Sequence, residues 1–180
     1  IYLQDLRRAV PLHDIGKVAI PDHILSKPGK LTSEERQLMQ RHCELGAKTI
    51  RSTIFQTQGA RFLSMAADIA MYHHEWYNGK GYPTGLCGQS IPLCARIAAL
   101  ADVYDALTSL RPYKKPFSHE KSVAIIRDSC GTQFDPVIVQ AFLSRDAQFR
   151  EMSLRMADDS KEIDKLAEMM NHQPEPVPAG

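Results

Sequence analysis

Residues 61–83 read RFLSMAADIAMYHHEWYNGKGYP, and this stretch decides how the chain folds. Its first half repeats apolar residues every three or four positions, which is typical of an amphipathic helix. One face of that helix carries Phe62, Ala66, Ile69 and His73. His73 and His74 therefore leave the apolar side of a helix together and enter a loop punctuated by glycine and proline.

The rest of the chain also shows helical periodicity, with no alternating strand pattern of useful length. Helix starts are predicted at Thr32, which has capping-box spacing with Glu35, at Pro92, at Ser118 and at Asp135-Pro136. The first of these helices carries Leu38, His42, Leu45 and Thr49 on one face. Loops are expected at 21–30, 76–91 and 111–117. The pattern predicts an all-α domain over 1–150, and an accessory C-terminal helix with a disordered tail over 151–180.

The composition of the chain argues against several classes of function. The chain has 180 residues, enough for one domain with a substantial core, and a net charge of +1. Such a balance gives no electrostatic footprint for a nucleic-acid polymer or an anionic membrane, and no run approaches the roughly 20 apolar residues of a membrane span. The four cysteines form no CxxC pair, which favours a reducing, cytoplasmic setting over disulfides or a cysteine zinc site. Because the chain starts at Ile1, we expect it to be part of a longer protein.

Histidines and aspartates carry the chemical signal. They are the pairs His13-Asp14 and His73-His74, together with His42 and with Asp102 inside an otherwise apolar helix. A lone histidine on an apolar face is more often a hydrogen-bonded core residue, and Asp102 has the alternative of pairing with Arg96 or Arg111. Taken together, neutral imidazoles and carboxylates suit divalent metals such as Fe, Mn or Zn.

The adjacency of the paired residues adds a geometric clue. Consecutive residues on a helix point about 100° apart, so the two members of a pair do not readily converge on one ion. Two ions about 3.5–4 Å apart resolve this, because each pair can send one side chain to each ion or bridge both. Such a centre generates a metal-bound hydroxide and holds a phosphate. The residues therefore predict metal-assisted phosphoester hydrolysis.

The sequence resembles the HD superfamily of metal-dependent phosphohydrolases, and closely its HD-GYP branch, known for bacterial cyclic di-GMP phosphodiesterases. The resemblance rests on an ordered series of motifs from Leu12 to Leu143: LHDIGKVAIP, ILSKPGKLT, the helix bearing His42, HHEWYNGKGYP, IPLCARIAALADVYDALTS, RPYK and GTQFDP. It implies an HD-superfamily helical bundle with a metal site in the bundle core.

The same resemblance implies roles for individual residues. The metal ligands are His13, Asp14, His42, His73, His74 and Asp102, with Asp14 bridging. Lys17 acts near the scissile phosphate, with a surface lysine after a helix end as the alternative. Substrate contacts are expected from Tyr82, Asp105, Arg111 and Lys114, although Arg111 and Lys114 also fit solvated loop charges. The GYP motif, Gly81, Tyr82 and Pro83, forms a loop for substrate or partner.

Cofactors and reaction follow from the family in the same way. Two or three divalent ions are expected, with Fe and Mn favoured over Zn, Mg or Ni. Relatives take further ligands from a helix upstream of the His-Asp dyad, which this chain lacks. The implied reaction is in-line attack by a metal-bound hydroxide on cyclic di-GMP, giving pGpG and, in a second round, GMP.

Implied partners are an N-terminal sensory or receiver domain, as in two-component response regulators, a GGDEF-type protein and a second copy of the chain. Two alternatives stay open at this point. One is an HD phosphohydrolase for another nucleotide, such as a different cyclic dinucleotide. The other is a non-catalytic regulatory module that binds a nucleotide or a GGDEF-type partner through the GYP loop.

Overall fold

A computed structural model describes residues 1–56, 61–109 and 116–155. Within these ranges the α-helices are α1 (Tyr2–Ala9), α2 (Asp22–Leu25), α3 (Ser33–Gln40), α4 (His42–Gln56), α5 (Arg61–Tyr72), α6 (Leu93–Thr108), α7 (His119–Asp128) and α8 (Pro136–Leu143). Short 3-10 helices cover Val10–Leu12, Ile15–Ala19 and Gly88–Ser90. Ladder pairing in the described ranges is limited to two isolated bridges, so the all-α prediction is confirmed.

Three of the four predicted helix starts are confirmed by side-chain caps, whereas Pro92 directly precedes α6 without a side-chain cap. Glu35 N–H donates to Thr32 Oγ1 and Thr32 N–H donates to Glu35 Oε2, which completes the capping box of α3. Ser118 accepts from the first turn of α7, and Asp135 accepts from the first turn of α8, where Pro136 is the first residue. Local sequence therefore sets where these helices begin.

The predicted helix that joins Leu38 to Thr49 is interrupted. Helix α3 ends at Gln40 and α4 begins at His42, so Leu38 and His42 do not share one continuous face. The imidazole of His42 hydrogen-bonds the carbonyl of Met39 in the last turn of α3, and this contact stabilises the break. Leu38 is exposed, whereas His42 is buried.

The loop and tail predictions have mixed outcomes. The loop expected at 21–30 contains the short helix α2, and the loop expected at 76–91 ends in the 3-10 helix Gly88–Ser90. Most of the loop at 111–117 and of the accessory segment 151–180 lies outside the described residues, although helical turns cover 146–155. Among the helices that the structure describes, none has both the length and the apolar character needed to cross a bilayer.

Two apolar clusters form the core, and α6 contributes to both. The first cluster joins α1, α4, α5 and α6, and alanines such as Ala66, Ala70 and Ala98 let these helices approach closely. The second joins α6 to α7 and α8 through aromatic residues, among them Tyr104, Phe134 and Phe142. The helix that carries Asp102 therefore packs against both halves of the domain.

A backbone contact joins the His13-Asp14 turn to α4. Gly16, in the 3-10 helix Ile15–Ala19, lies so close to α4 that a Cβ atom built on it would be 1.9 Å from the carbonyl oxygen of His42 and 2.5 Å from the amide nitrogen of Gly46. No side chain fits between these backbones. Gly16 thus sets the distance between Asp14 and the start of α4.

We expect Gly16→Ala to lower the free energy of unfolding by about 3 kcal/mol, because the new methyl group forces the 3-10 helix away from α4. Denaturant unfolding measures the change. Val18→Ala is the matched control in the same 3-10 helix: Val18 is 86% exposed, so the change should stay within about 0.5 kcal/mol. Equal stability of the two variants would contradict the close backbone packing.

Candidate metal centre

Four parts of the fold bring histidines and aspartates together. The turn between two 3-10 helices carries His13 and Asp14, and His42 is the first residue of α4. His73 and His74 lie in the turn directly after α5. Asp102 completes the set from the middle of α6. All six sequence-predicted ligands therefore lie in the described part of the chain.

Asp14 stands between three of the histidines. Its Oδ1 lies 3.4 Å from His42 Nε2 and 3.8 Å from His73 Nε2. Its Oδ2 lies 3.3 Å from His13 Nε2. Since the two oxygens face different imidazoles, Asp14 has the placement of a carboxylate that serves two cation positions.

Backbone carbonyls orient these three imidazoles. The pairs are His13 Nδ1 with Val10 O at 2.9 Å, His42 Nδ1 with Met39 O at 2.7 Å, and His73 Nδ1 with Ile69 O at 2.9 Å. A carbonyl only accepts, so Nδ1 carries the proton and donates it. In a neutral ring, Nε2 then presents a lone pair towards Asp14, which is the usual orientation of a metal-bound histidine.

Two buried polar atoms at the centre have no hydrogen-bond partner among the described residues: Asp14 Oδ1 and His73 Nε2. Both are acceptors in the protonation states described here, and they face each other at 3.8 Å. Buried acceptors without a donor are unfavourable, and a cation would satisfy both. The donor set therefore fits a divalent metal ion.

Burial keeps the inner imidazoles neutral. Desolvation, reinforced by the neighbouring histidines, lowers the pKa of His73 to about 4 and that of His74 to about 3. Desolvation also lowers the pKa of His42. Neutral imidazoles bind metals, so these three rings are ready to coordinate at neutral pH.

The outer residues behave differently. The nearby carboxylates of Asp102 and Asp14 favour the protonated imidazole and raise the pKa of His13 to about 10. Burial alone would raise the pKa of Asp14, but hydrogen bonds from His13 and Lys17 outweigh it and hold that pKa below its usual range. A cation that binds here takes the place of the proton on His13 Nε2.

The donor atoms fall into two overlapping groups. One contains His13, Asp14 and His73, and the other contains His42, Cys43, His73 and His74. Within each group the ligand atoms all lie within 4.8 Å of one another. Both members of each adjacent pair fall in the same group, so the expectation that they address different positions is not met. The physical reason is that both pairs lie in turns, whereas the 100° divergence applies to consecutive residues of a regular helix.

Asp102 belongs to the site and not to a structural ion pair with Arg96. Its Oδ1 lies 3.7 Å from His13 Nε2, and its side chain is 28% exposed. Arg96 instead forms an ion pair with Asp135, so the Arg96 alternative is wrong. Arg111, the other alternative partner, lies outside the described residues.

The predicted substrate residues are only partly at the centre. Lys17 Nζ donates to Asp14 Oδ2 at 2.5 Å, and the Tyr82 ring stacks on His74 with centroids 4.8 Å apart. Asp105 is exposed and accepts from Ser109 Oγ at 2.9 Å, with no described contact to the histidines. Arg111 and Lys114 lie outside the described residues.

The GYP loop folds back onto the turn that carries His74. Tyr82 N–H donates to the His74 carbonyl at 3.2 Å. A Cβ atom on Gly81 would lie 2.2 Å from the amide nitrogen of Trp76, so only glycine permits this return. The loop thereby places the Tyr82 ring against the metal centre.

Glu75 closes this loop, and sequence reasoning missed it. Its side chain is 2% exposed and accepts from Thr84 N–H and Thr84 Oγ1, each at 2.7 Å, and from Gly85 N–H at 3.1 Å. A glutamate at the end of an apolar helix was a usable signal, because a buried carboxylate requires strong donors. Cys43 was missed as well, because an isolated cysteine has no ligand spacing to reveal it.

We expect Glu75→Ala to lower the free energy of unfolding by about 2 kcal/mol, because three donors lose a charged acceptor. Glu75→Gln keeps one acceptor oxygen and should lose clearly less. Thermal or denaturant unfolding of both variants measures the difference. Two variants as stable as the unaltered protein would show that the carboxylate does not hold the loop.

The imidazoles and carboxylates of this helical bundle direct their lone pairs toward a common centre. This arrangement defines the class of the protein as an all-α, metal-binding domain. The HD domain family profile matches residues 2–138, and the chain belongs to this family, within its HD-GYP branch. The family assignment agrees with the helical bundle described above.

Individual relatives agree with this assignment. A cyclic di-GMP phosphodiesterase of Vibrio cholerae is 46% identical over 157 residues, which are 87% of this chain and 32% of that protein. A 3'3'-cGAMP-specific phosphodiesterase of the same organism is 40% identical, over 85% of this chain and 28% of that protein. The chain thus spans about a third of the length of these relatives.

A solved structure shares the fold. It is the crystal structure of a cyclic GMP-AMP specific phosphodiesterase of Vibrio cholerae, with a TM-score of 0.56 and 24% sequence identity. The match covers 86% of this chain and 42% of that one.

Proposed function

We propose that this chain is the catalytic domain of a metal-dependent phosphodiesterase that hydrolyses cyclic di-GMP to pGpG, and pGpG further to GMP. The observation that carries the proposal is the pair of buried, unpartnered acceptors, Asp14 Oδ1 and His73 Nε2, at the centre of a histidine and aspartate cluster. The 46% identity to a cyclic di-GMP phosphodiesterase supports the choice of substrate.

The residues that would hold two divalent ions are His13, Asp14, His42, His73, His74 and Asp102, and Fe and Mn are the proposed metals. When bound, such ions activate water at neutral pH and offset the negative charge of a phosphodiester. A third ion and its upstream ligands stay a prediction.

Lys17 is the proposed electrostatic partner of the reacting phosphate. Its side chain is 44% exposed, and its ammonium group lies against Asp14 at the solvent side of the cluster. From there it can donate to a phosphate oxygen on which negative charge develops, and Asp14 keeps it oriented. This placement favours a catalytic role over that of a free surface lysine.

Tyr82 is proposed to form one wall of the substrate pocket. Its ring is partly buried, and it stacks on His74 and so borders the cluster on the side of the GYP loop. A flat aromatic wall beside a phosphate site suits a nucleotide base. Contacts from Asp105, Arg111 and Lys114 stay predictions.

A second candidate substrate is 3'3'-cGAMP, favoured by the 40% identical relative that is specific for it. Both substrates present the same phosphodiester to the cluster, so base contacts must distinguish them. A panel of cyclic dinucleotides with equal metal loading decides between them by kcat/KM. A purely regulatory role has less support, since all six predicted ligands are present.

Regulatory partners stay predictions too. They are an N-terminal sensory or receiver domain, a GGDEF-type protein and a second copy of the chain. The cytoplasmic location is likewise kept as a proposal.

The main test is incubation of Mn²⁺- or Fe²⁺-loaded protein with cyclic di-GMP, with chromatographic detection of pGpG and GMP. We expect His73→Ala to abolish turnover, because it removes an imidazole shared by both donor groups. His23→Ala, an exposed histidine on α2, is the matched control and should keep full activity. Absence of both products from metal-loaded, unaltered protein would overturn the proposal.

We expect Lys17→Met to lower kcat by about 100-fold, with a smaller change in KM, because the ammonium acts mainly on the developing charge. Lys27→Met is the matched control, since Lys27 pairs with Glu35 away from the cluster. Steady-state kinetics on cyclic di-GMP supplies both constants. An unchanged kcat would show that Lys17 is a surface lysine without a catalytic role.

A further inference from the structure

Cys43 lies beside the metal centre, outside the two apolar clusters of the described residues. Its side chain is fully buried, and its Sγ lies 3.4 Å from His42 Nε2. Together with His42, His73 and His74 it forms the second donor group, in which all ligand atoms lie within 4.8 Å. Neither apolar cluster of the described residues contains it.

We propose that Cys43 is a metal ligand, and that the position it shares with His42, His73 and His74 prefers a thiophilic divalent ion such as Zn²⁺. This inference rests on the proposed metal centre and deepens it, because it makes the two cation positions chemically different. One sulfur and three imidazole nitrogens are four donors of the kinds found in tetrahedral zinc sites.

His73, which both donor groups share, also points to a ligand at this position. His73 is 2% exposed, its Nδ1 is fixed by the Ile69 carbonyl, and its Nε2 has no hydrogen-bond partner although it is fully buried. That free lone pair belongs to the same donor group as the sulfur of Cys43. A cation between them would satisfy the nitrogen and use the sulfur.

The other donor group contains harder ligand atoms, in the sense of hard and soft Lewis bases. It replaces the sulfur with the carboxylate of Asp14 and shares only His73 with the sulfur-containing group. Thiolate ligands favour Zn²⁺ over Mn²⁺, whereas carboxylate oxygens suit Mn²⁺. The structure therefore assigns unequal metal preferences to the two positions.

Cys94 provides a contrast within the same chain. It is also buried, at 6% exposure, but it packs in the first apolar cluster among alanines of α5 and α6. Its burial is explained by packing alone. Cys94→Ser is consequently the matched control for Cys43→Ser.

The first test uses Co²⁺ as a spectroscopic substitute for Zn²⁺ in the protein. We expect a sulfur-to-cobalt charge-transfer band in the near ultraviolet, retained in Cys94→Ser and lost in Cys43→Ser, with the visible ligand-field bands of bound cobalt kept in both. Ligand-field bands without a charge-transfer band in the unaltered protein would overturn the role of Cys43 and leave the metal centre intact. Failure to bind cobalt at all would overturn the metal centre and the proposed function with it.

A second test needs no variant. X-ray absorption at the zinc edge of protein loaded with one equivalent of zinc should show one sulfur at about 2.3 Å among nitrogen or oxygen neighbours. A shell of nitrogen and oxygen alone would overturn the proposal.

A third test is a competition titration. Cys43→Ser should weaken the affinity for Zn²⁺ by about tenfold or more and leave the affinity for Mn²⁺ nearly unchanged. Equal losses for both metals would also count against it.

Discussion

The hydrogen bond from a histidine Nδ1 to a carbonyl at a helix end is the interaction on which the metal centre depends. The last carbonyls of a helix have no intrahelical donor, and a side chain just beyond the helix can supply one. His42 does this for Met39 in the last turn of α3. In the last turn of α5, His73 Nδ1 is a second donor to the Ile69 carbonyl, which also accepts from the His73 backbone N–H. The bond that completes a helix end also fixes the tautomer and turns Nε2 inward.

Backbone packing sets the position of the carboxylate that these imidazoles face. Gly16 meets α4 without room for a side chain, so the turn that carries Asp14 is held against the first residues of that helix. The resulting cluster is unfavourable when it holds no cation, because it buries imidazoles and leaves Asp14 Oδ1 and His73 Nε2 without partners. The cluster therefore lowers the stability of the fold locally, but its ligand atoms need little rearrangement to bind a metal ion.

Sequence patterns predicted the parts of this site better than its internal contacts. Helix starts at Thr32, Ser118 and Asp135 followed from local capping chemistry, and residue type and motif order selected six residues that the fold brings close together. Helical periodicity assigns a residue to one face of a helix, but it does not identify the residues that pack against that face. The partner of Asp102, the break before His42 and the approach of Cys43 all depend on tertiary packing, so spacing alone could not give them.

The second apolar cluster also contributes to the site, through the loop that follows His74. Tyr77 and Asn78 donate backbone N–H groups to Gln133 and Thr132, in the turn between α7 and α8. Asp135 fixes the end of that turn by capping α8 and pairing with Arg96 of α6. Glu75 then closes the inner half of the same loop. The loop that places Tyr82 is therefore held within itself by Glu75 and held to the α7–α8 turn by two backbone bonds, so the second cluster helps to position the ring.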